Sequence, residues 1–326
     1  MNHQPFVSII IPTYNRSSLI SITLDSLLAQ TYPSDKYEIV VVDNHSTDET
    51  ATIVKDYEQR TEGRVRYFYE GRQGSHYARN NVVKHVRGEL LYFTDDDMIT
   101  DAHALEELVR VMVEHPEVGT ATGRVLPKWQ EQPPEWLLHY FVNGMLSLFD
   151  MDEELYVGDT DCGIFSCHQM VRKDLFVQAG GYNPDIVDGE WLGDNETGLC
   201  IKIKKLGAKF AFTHKSETLH IIPPRRMTQE YFNKRFANQG NCDSYTDYRQ
   251  CRFSDKELLR QNRQFAMKWV KKLARLFAHK VLGRDKWHVD RAYLDYYSNR
   301  IRYNNRIIND PQWREMVLID NWIDKE

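Results

Sequence analysis

The chain has 326 residues, 41% hydrophobic and 27% charged, enough apolar mass for one large globular domain or two smaller ones. A net charge of −5 offers no broad cationic surface of the kind that drives nonspecific nucleic-acid binding, so nucleic acid is excluded as a partner. Five cysteines (Cys162, Cys167, Cys200, Cys242, Cys251) form no CxxC pair and leave an odd count, against a zinc ribbon or disulfide framework and for reduced thiols in the cytosol.

The first apolar run, 7–11, has only strand length and no secretory signal precedes it, so a cytoplasmic protein without a membrane span is expected. Further β-branched runs follow at 37–42, 65–69 and 90–94, separated by amphipathic stretches near 17–30, 47–60 and 76–87. This βαβαβαβ order predicts an α/β domain with a mostly parallel, Rossmann-like sheet and helices on both faces. The runs are apolar throughout, as strands covered on both sides should be. Three end in polar residues: Pro12-Thr13-Tyr14-Asn15, Asp43-Asn44 and Asp95-Asp96-Asp97. These are carboxyl ends, where open α/β sheets bind ligands.

Beyond about residue 120 the rhythm breaks, with a loop at 127–134, turns at 159–163 and 180–181, and a polar segment at 188–196 leading into a helix through 206. This half is expected to finish the sheet and to supply the second substrate's pocket. A long amphipathic helix is predicted over 256–282, with Leu259, Phe265, Trp269, Leu273, Leu276 and Phe277 on one side. The tail, rich in Tyr, Trp and Arg, reads as helical.

Three adjacent carboxylates repel one another unless solvated or neutralised by a cation. Asp residues also favour turns and helix N-caps, which gives the triplet a second, purely structural reading. Asp43 favours the cation, because it ends another strand and points toward the same crevice. A hard divalent ion such as Mg²⁺ or Mn²⁺ takes oxygen ligands and bridges readily to phosphate. The turn after the first strand has no GxGxxG glycines and no P-loop is present, which disfavours a dinucleotide. An aspartyl phosphatase would need an acid where the chain has Pro12.

The run Val-Ser-Ile-Ile-Ile-Pro-Thr-Tyr-Asn-Arg at 7–16 is followed by Val-Val-Asp-Asn-His-Ser-Thr-Asp-Glu-Thr at 41–50. With Gly74-Ser75, Arg79-Asn80 and Thr-Asp-Asp-Asp at 94–97, these segments resemble the inverting glycosyltransferase family two, of GT-A fold, over roughly 6–240. The resemblance implies that Pro12, Thr13, Tyr14 and Arg16 surround a nucleotide, that of a UDP-sugar foremost, that Asp43 accepts from its base, and that Arg79 approaches the diphosphate. Asp95 and Asp96 would then face the nucleoside, while Asp97 ligates Mn²⁺ or Mg²⁺.

It also implies a catalytic base in Gly193-Asp194-Asn195-Glu196-Thr197, at Glu196 or, with a one-residue shift, Asp194. A carboxylate suits that work, since burial raises its pKa toward that of a useful base. Whichever acid is not the base would serve the helix N-terminus. His220, in Glu-Thr-Leu-His-Ile-Ile-Pro-Pro-Arg-Arg, resembles a histidine brought to the metal, and Arg225 or Arg226 would neutralise phosphate. At Ser166-Cys167-His168 the chain departs from the Gly-Ala-Asn of many relatives near the donor sugar.

The expected division is a nucleotide-sugar-binding half at 1–120, an acceptor and catalytic-base half at 121–252, and a C-terminal helical extension at 253–326. The expected partners are a nucleoside-diphosphate sugar and a carbohydrate or lipid-linked acceptor. Lys268, Lys271, Lys272, Arg275 and Lys280, beside Trp269 and Phe277, allow residues 256–284 either to lie peripherally on the inner membrane face or to pack on the catalytic domain. A catalytically silent nucleotide-sugar-binding subunit and a sugar nucleotidyltransferase remain as alternatives, although the latter usually has a Gly-rich loop after the first strand.

Overall fold

The apolar runs become a parallel block in the computed structural model, which describes residues 4–141, 144–161, 163–187 and 189–323. Cys162 and Asp188 lie outside the described residues. The amino-terminal part runs β1 (Val7–Thr13), α1 (Ile20–Leu28), β2 (Tyr37–Asp43), α2 (Thr50–Arg60), β3 (Val65–Tyr69), α3 (Ser75–Val82) and β4 (Leu90–Thr94). Along β1, Ile9 and Ile11 enter one core layer with Leu24 and Leu108, while Ile10 enters the other with Val40, Phe93 and Phe176. This is the period-two alternation of a strand covered on both sides. The expectation fails at β3, an edge strand whose Tyr69 is exposed.

The chain continues through β5 (Met98–Thr100), α4 (Ala104–Glu114), β6 (Val118–Trp129), α5 (Glu135–Tyr140), β7 (Leu155–Gly158), β8 (His168–Arg172) and α6 (Lys173–Gln178). Next come β9 (Ile186–Val187), β10 (Glu190–Trp191), α7 (Asn195–Lys205), β11 (Lys209–Ile222) and α8 (Gln229–Cys251). The main sheet has the order β3-β2-β1-β4-β8-β6-β11-β5, with β7 also on β11. Strands β3, β2, β1, β4, β6 and β11 run one way, and β8, β5 and β7 run the other.

The predicted loop at 127–134 starts later than expected, because β6 continues to Trp129 beside the long β11, with Pro127 opposite His220. Strand β8 pairs only with Thr120 and Ala121 of β6, so Pro127, which has no N–H to give, lies beyond the part of β6 that β8 pairs with.

The carboxyl-terminal helices are α9 (Asp255–Val281), α10 (Trp287–Asn309) and α11 (Pro311–Val317). Ser254 and Glu257 form a reciprocal capping box that fixes the start of α9. Leu258, Asn262 and Leu276 of α9 are buried, whereas Leu259 and Phe277, expected in the same stripe, are 49% and 62% exposed. Each stands one residue, about 100° of helix, away from the buried line. The carboxylate of Asp290 on α10 is fully buried and accepts from Lys272 Nζ at 2.8 Å and pairs with His279 Nδ1 at 2.7 Å. At Gly240 a β-carbon would come within 2.5 Å of the Tyr296 carbonyl oxygen, so glycine permits the close crossing of α8 and α10. The tail then returns to the sheet domain, where the Trp322 N–H donates to the Gly180 carbonyl at 2.9 Å.

Candidate active site

In register, Thr13 pairs with Asp43, and Ile10 with Phe93 one residue before the end of β4. The ends of β1, β2 and β4 therefore meet at one edge of the sheet. A cavity of about 460 Å³ opens there. Pro12, Thr13, Tyr14, Arg16, Arg79, Asp95, Asp96, Asp97, Asp194 and Glu196 all contribute to its wall.

Three arginines brace the acidic triplet. Arg79 Nη2 donates to Asp95 Oδ1 at 2.6 Å, Arg16 Nε to Asp96 Oδ1 at 3.0 Å, and Arg226 Nη2 to Asp97 Oδ2 at 2.9 Å. Burial, then repulsion from Asp97, pushes the Asp96 carboxyl up, with Arg16 opposing. Burial alone would raise Asp97 too, but His220, Arg226 and Arg16 hold it well below the usual carboxylate range. The pair thus divides its charge, with Asp97 as the ionised member.

His220 and Asp43 stand behind the wall. His220 Nδ1 donates to the Leu146 carbonyl at 2.8 Å, which leaves Nε2 to accept from Arg226 and to face Asp97 Oδ1 at 3.7 Å. An imidazole nitrogen and a carboxylate oxygen are an apt pair for Mn²⁺. No cluster of three His, Cys, Asp or Glu side chains occurs among the described residues, so a cation here would need other ligands such as phosphate oxygens or water. The guanidinium of Arg226 already bridges the two groups, which shows that the position accepts positive charge. The residues present therefore fit a divalent ion. Asp43 is buried, and its two oxygens accept from the Ser46 N–H at 2.8 Å and the Tyr67 hydroxyl at 2.9 Å. Its neighbour Asn44 reaches the cavity and accepts from the Gly74 N–H at 2.8 Å.

Across the cavity, Asp194 and Glu196 differ in their surroundings. Asp194 is buried and accepts from Asn183 Nδ2 at 2.8 Å and Thr246 Oγ1 at 2.7 Å, so its carboxylate does not cap α7. Glu196 is half-buried in the first turn of α7. Burial raises its pKa, opposed by its own backbone N–H and by Arg79 and Arg235.

Other residues at this edge escaped the sequence reading. Arg235, Asn238, Gln239 and Cys242 of α8 form part of the wall, as does Asp185. Asp185 accepts from Ser75 Oγ at 2.8 Å and pairs with the buried His76 at 2.7 Å, tying the start of α3 to the loop before β9. Of Arg225 and Arg226, it is Arg226 that lines the cavity and reaches Asp97. In the Ser166-Cys167-His168 segment, Ser166 lines the cavity while His168 turns into the core between Tyr92 and Ser216. Burial lowers the His168 pKa to about 3, which makes it a neutral core histidine.

The fold is that of the GT-A glycosyltransferases. Mannosyltransferase PcManGT from Pyrobaculum calidifontis, solved with GDP-Man and Mn²⁺, superposes with a TM-score of 0.61 over 93% of this chain and 88% of that one, at 19% identity. TarS 1-349 of S. aureus, solved with UDP, gives 0.50 over 92% and 91% at 16% identity.

Residues 8–178, more than half of the sequence, match Glycosyl transferase family 2, and the chain belongs to that family. Glycosyltransferase AglE of Haloferax volcanii is 36% identical over 133 residues, 37% of this chain and 44% of that protein. Poly(ribitol-phosphate) beta-glucosyltransferase of Bacillus spizizenii is 40% identical over 102 residues, 30% of this chain and 16% of that protein. The aligned parts thus span less than half the length of these two curated relatives.

Proposed function

We propose that this protein is an inverting, metal-dependent glycosyltransferase that moves a sugar from a nucleoside diphosphate, UDP foremost, to an acceptor hydroxyl in polysaccharide or glycolipid synthesis. The observation that carries this reading is one cavity in which an arginine-braced acidic strand end faces a half-buried glutamate with a raised pKa. In it, residues 1–120 hold the nucleotide, 121–252 the acceptor and base, and 253–326 form the extension. Pro12, Thr13, Tyr14, Arg16, Asp95 and Asp96 surround the nucleoside, Asp43 fixes the loop beside its base, and Arg79 meets the diphosphate. Asp97 and His220 would hold Mn²⁺ or Mg²⁺. When bound, the ion supplies positive charge beside the departing diphosphate.

Glu196 accepts the acceptor's hydroxyl proton as that oxygen bonds to the anomeric carbon and the bond to the diphosphate breaks. The new linkage is therefore inverted. Asp194, with both oxygens engaged, positions the start of α7. The experiment is a panel of UDP- and GDP-sugars with Mn²⁺ or EDTA, read as release of nucleoside diphosphate. Metal-dependent release is expected. Nucleotide binding without release from any donor would make the chain a silent subunit, and pyrophosphate from a nucleoside triphosphate and a sugar phosphate would make it a nucleotidyltransferase.

The proposal includes a peripheral membrane contact at the cytoplasmic face through 256–284. No helix among the described residues is long and apolar enough to cross a membrane. On α9, however, Met267, Val270, Phe277 and Val281 are exposed on the side away from α10, and Lys271 lies among them. Such a face suits an anionic leaflet. Co-sedimentation with phosphatidylglycerol vesicles at low salt is expected for the wild type and is expected to fall in Phe277→Glu. Equal sedimentation of both would remove the contact.

A further inference from the structure

Helix α8, which closes the donor cavity with Arg235, Asn238, Gln239 and Cys242, also borders a second hollow along the adjacent face. This hollow of about 480 Å³ lies between α8, α9 and α10, and Gln239 belongs to both walls. Tyr140 also borders a third hollow, of about 550 Å³. Apart from Tyr140 and its neighbours, the second hollow is built from residues beyond the matched 8–178 segment.

Its floor is aromatic. The rings of Phe265 and Tyr297 lie 6.1 Å apart at 24°, and those of Tyr297 and Tyr293 lie 5.8 Å apart at 26°, so three faces follow one another with little tilt. Among the described residues, the hydroxyls of Tyr293 and Tyr297 make no hydrogen bond to protein. The rim is polar: Asp243 accepts from Gln239 Nε2 at 2.7 Å, and Lys268 stands 6.0 Å from the Tyr297 ring centroid.

We infer that this hollow is the acceptor groove and that it takes a carbohydrate chain of several units, a claim that rests on the glycosyltransferase reading above. A pyranose has an apolar C–H face and a rim of hydroxyls. Stacked aromatic faces bordered by phenol, amide and carboxylate groups match both features, as in other pockets where apolar walls carry a few orienting polar groups. A polyprenyl chain would leave the Tyr293 and Tyr297 hydroxyls without partners, at a desolvation cost. The acceptor's reacting end enters at Gln239, and earlier units lie back over Tyr297 toward Tyr140. A hollow of about 480 Å³ exceeds what one sugar ring fills, so affinity should rise with chain length.

The test is binding of the full chain to an array of defined oligosaccharides of graded length, with UDP plus Mn²⁺ binding followed by thermal shift on the same samples. One glycan class should be retained, more strongly as length increases. Tyr297→Ala and, from a different element, Tyr140→Ala should each weaken it about tenfold, while Tyr297→Phe, which keeps the ring and loses the hydroxyl, weakens it less than Tyr297→Ala and UDP binding is unchanged. Retention by both alanine variants equal to wild type would overturn the groove. So would a folded, UDP-binding wild type that retains no glycan, or one that instead binds polyprenyl phosphate in phosphatidylcholine vesicles through Tyr297. Glycan retention without nucleotide binding would leave the groove standing and remove the donor reading.

Discussion

Glu196 and Asp194 are two residues apart, and the side chains around them assign them different work. Asn183 and Thr246 occupy both oxygens of Asp194, and Gly198 leaves them room, since a β-carbon there would lie 2.3 Å from Asp194 Oδ1. Under the proposed mechanism, Glu196→Gln lowers kcat by about 10²- to 10⁴-fold and leaves nucleotide affinity intact. A base works deprotonated, and burial raises this glutamate's pKa. The acid limb of kcat/KM should therefore lie above the ordinary glutamate range, with activity falling as pH drops through it, and should be missing from the Gln variant. Unchanged turnover in Glu196→Gln would transfer the role to Asp194. The strand-end residues that share this cavity were legible in sequence because each follows an apolar run. Arg235 and Asp185 were not, because their places depend on contacts between segments far apart in the chain, such as that of Asp185 with His76.

The same limit governs the elements. Strands β1, β2 and β4 could be read directly from β-branched runs, and α9 from its strong period. Helix α8 could not, because Asn, Gln, Asp and Tyr interrupt its apolar line and much of one side faces the cavity rather than core. The orientation of α9 was also only partly legible, since Met267, Val270 and Phe277 make a second apolar line that stays exposed. What fixes the orientation is Asp290, buried between Lys272 and His279. Asp290→Ala leaves both bases facing a dry wall and should cost about 3 kcal/mol, read as a lower urea midpoint. A midpoint equal to wild type would mean that packing of α9 on α10 needs no charge.

In the whole molecule, the order of the chain and the order of the parts diverge. The tail was readable as helical, but its return to Gly180 through Trp322 was not, since nothing local in a Trp-rich segment names its docking surface. That return joins the extension to the 121–252 half, and α8 borders both proposed substrate spaces. The account's central claim is that distant carboxylates and arginines converge to hold a cation-bridged nucleoside diphosphate. It is tested most directly by calorimetric titration of UDP and GDP into wild type and Asp97→Asn, with and without Mn²⁺. The expected result is binding of one nucleotide that Mn²⁺ strengthens in wild type and that weakens by about tenfold or more when Asp97 is neutralised. Binding indifferent to both Mn²⁺ and Asp97, or no binding of either nucleotide, would contradict it.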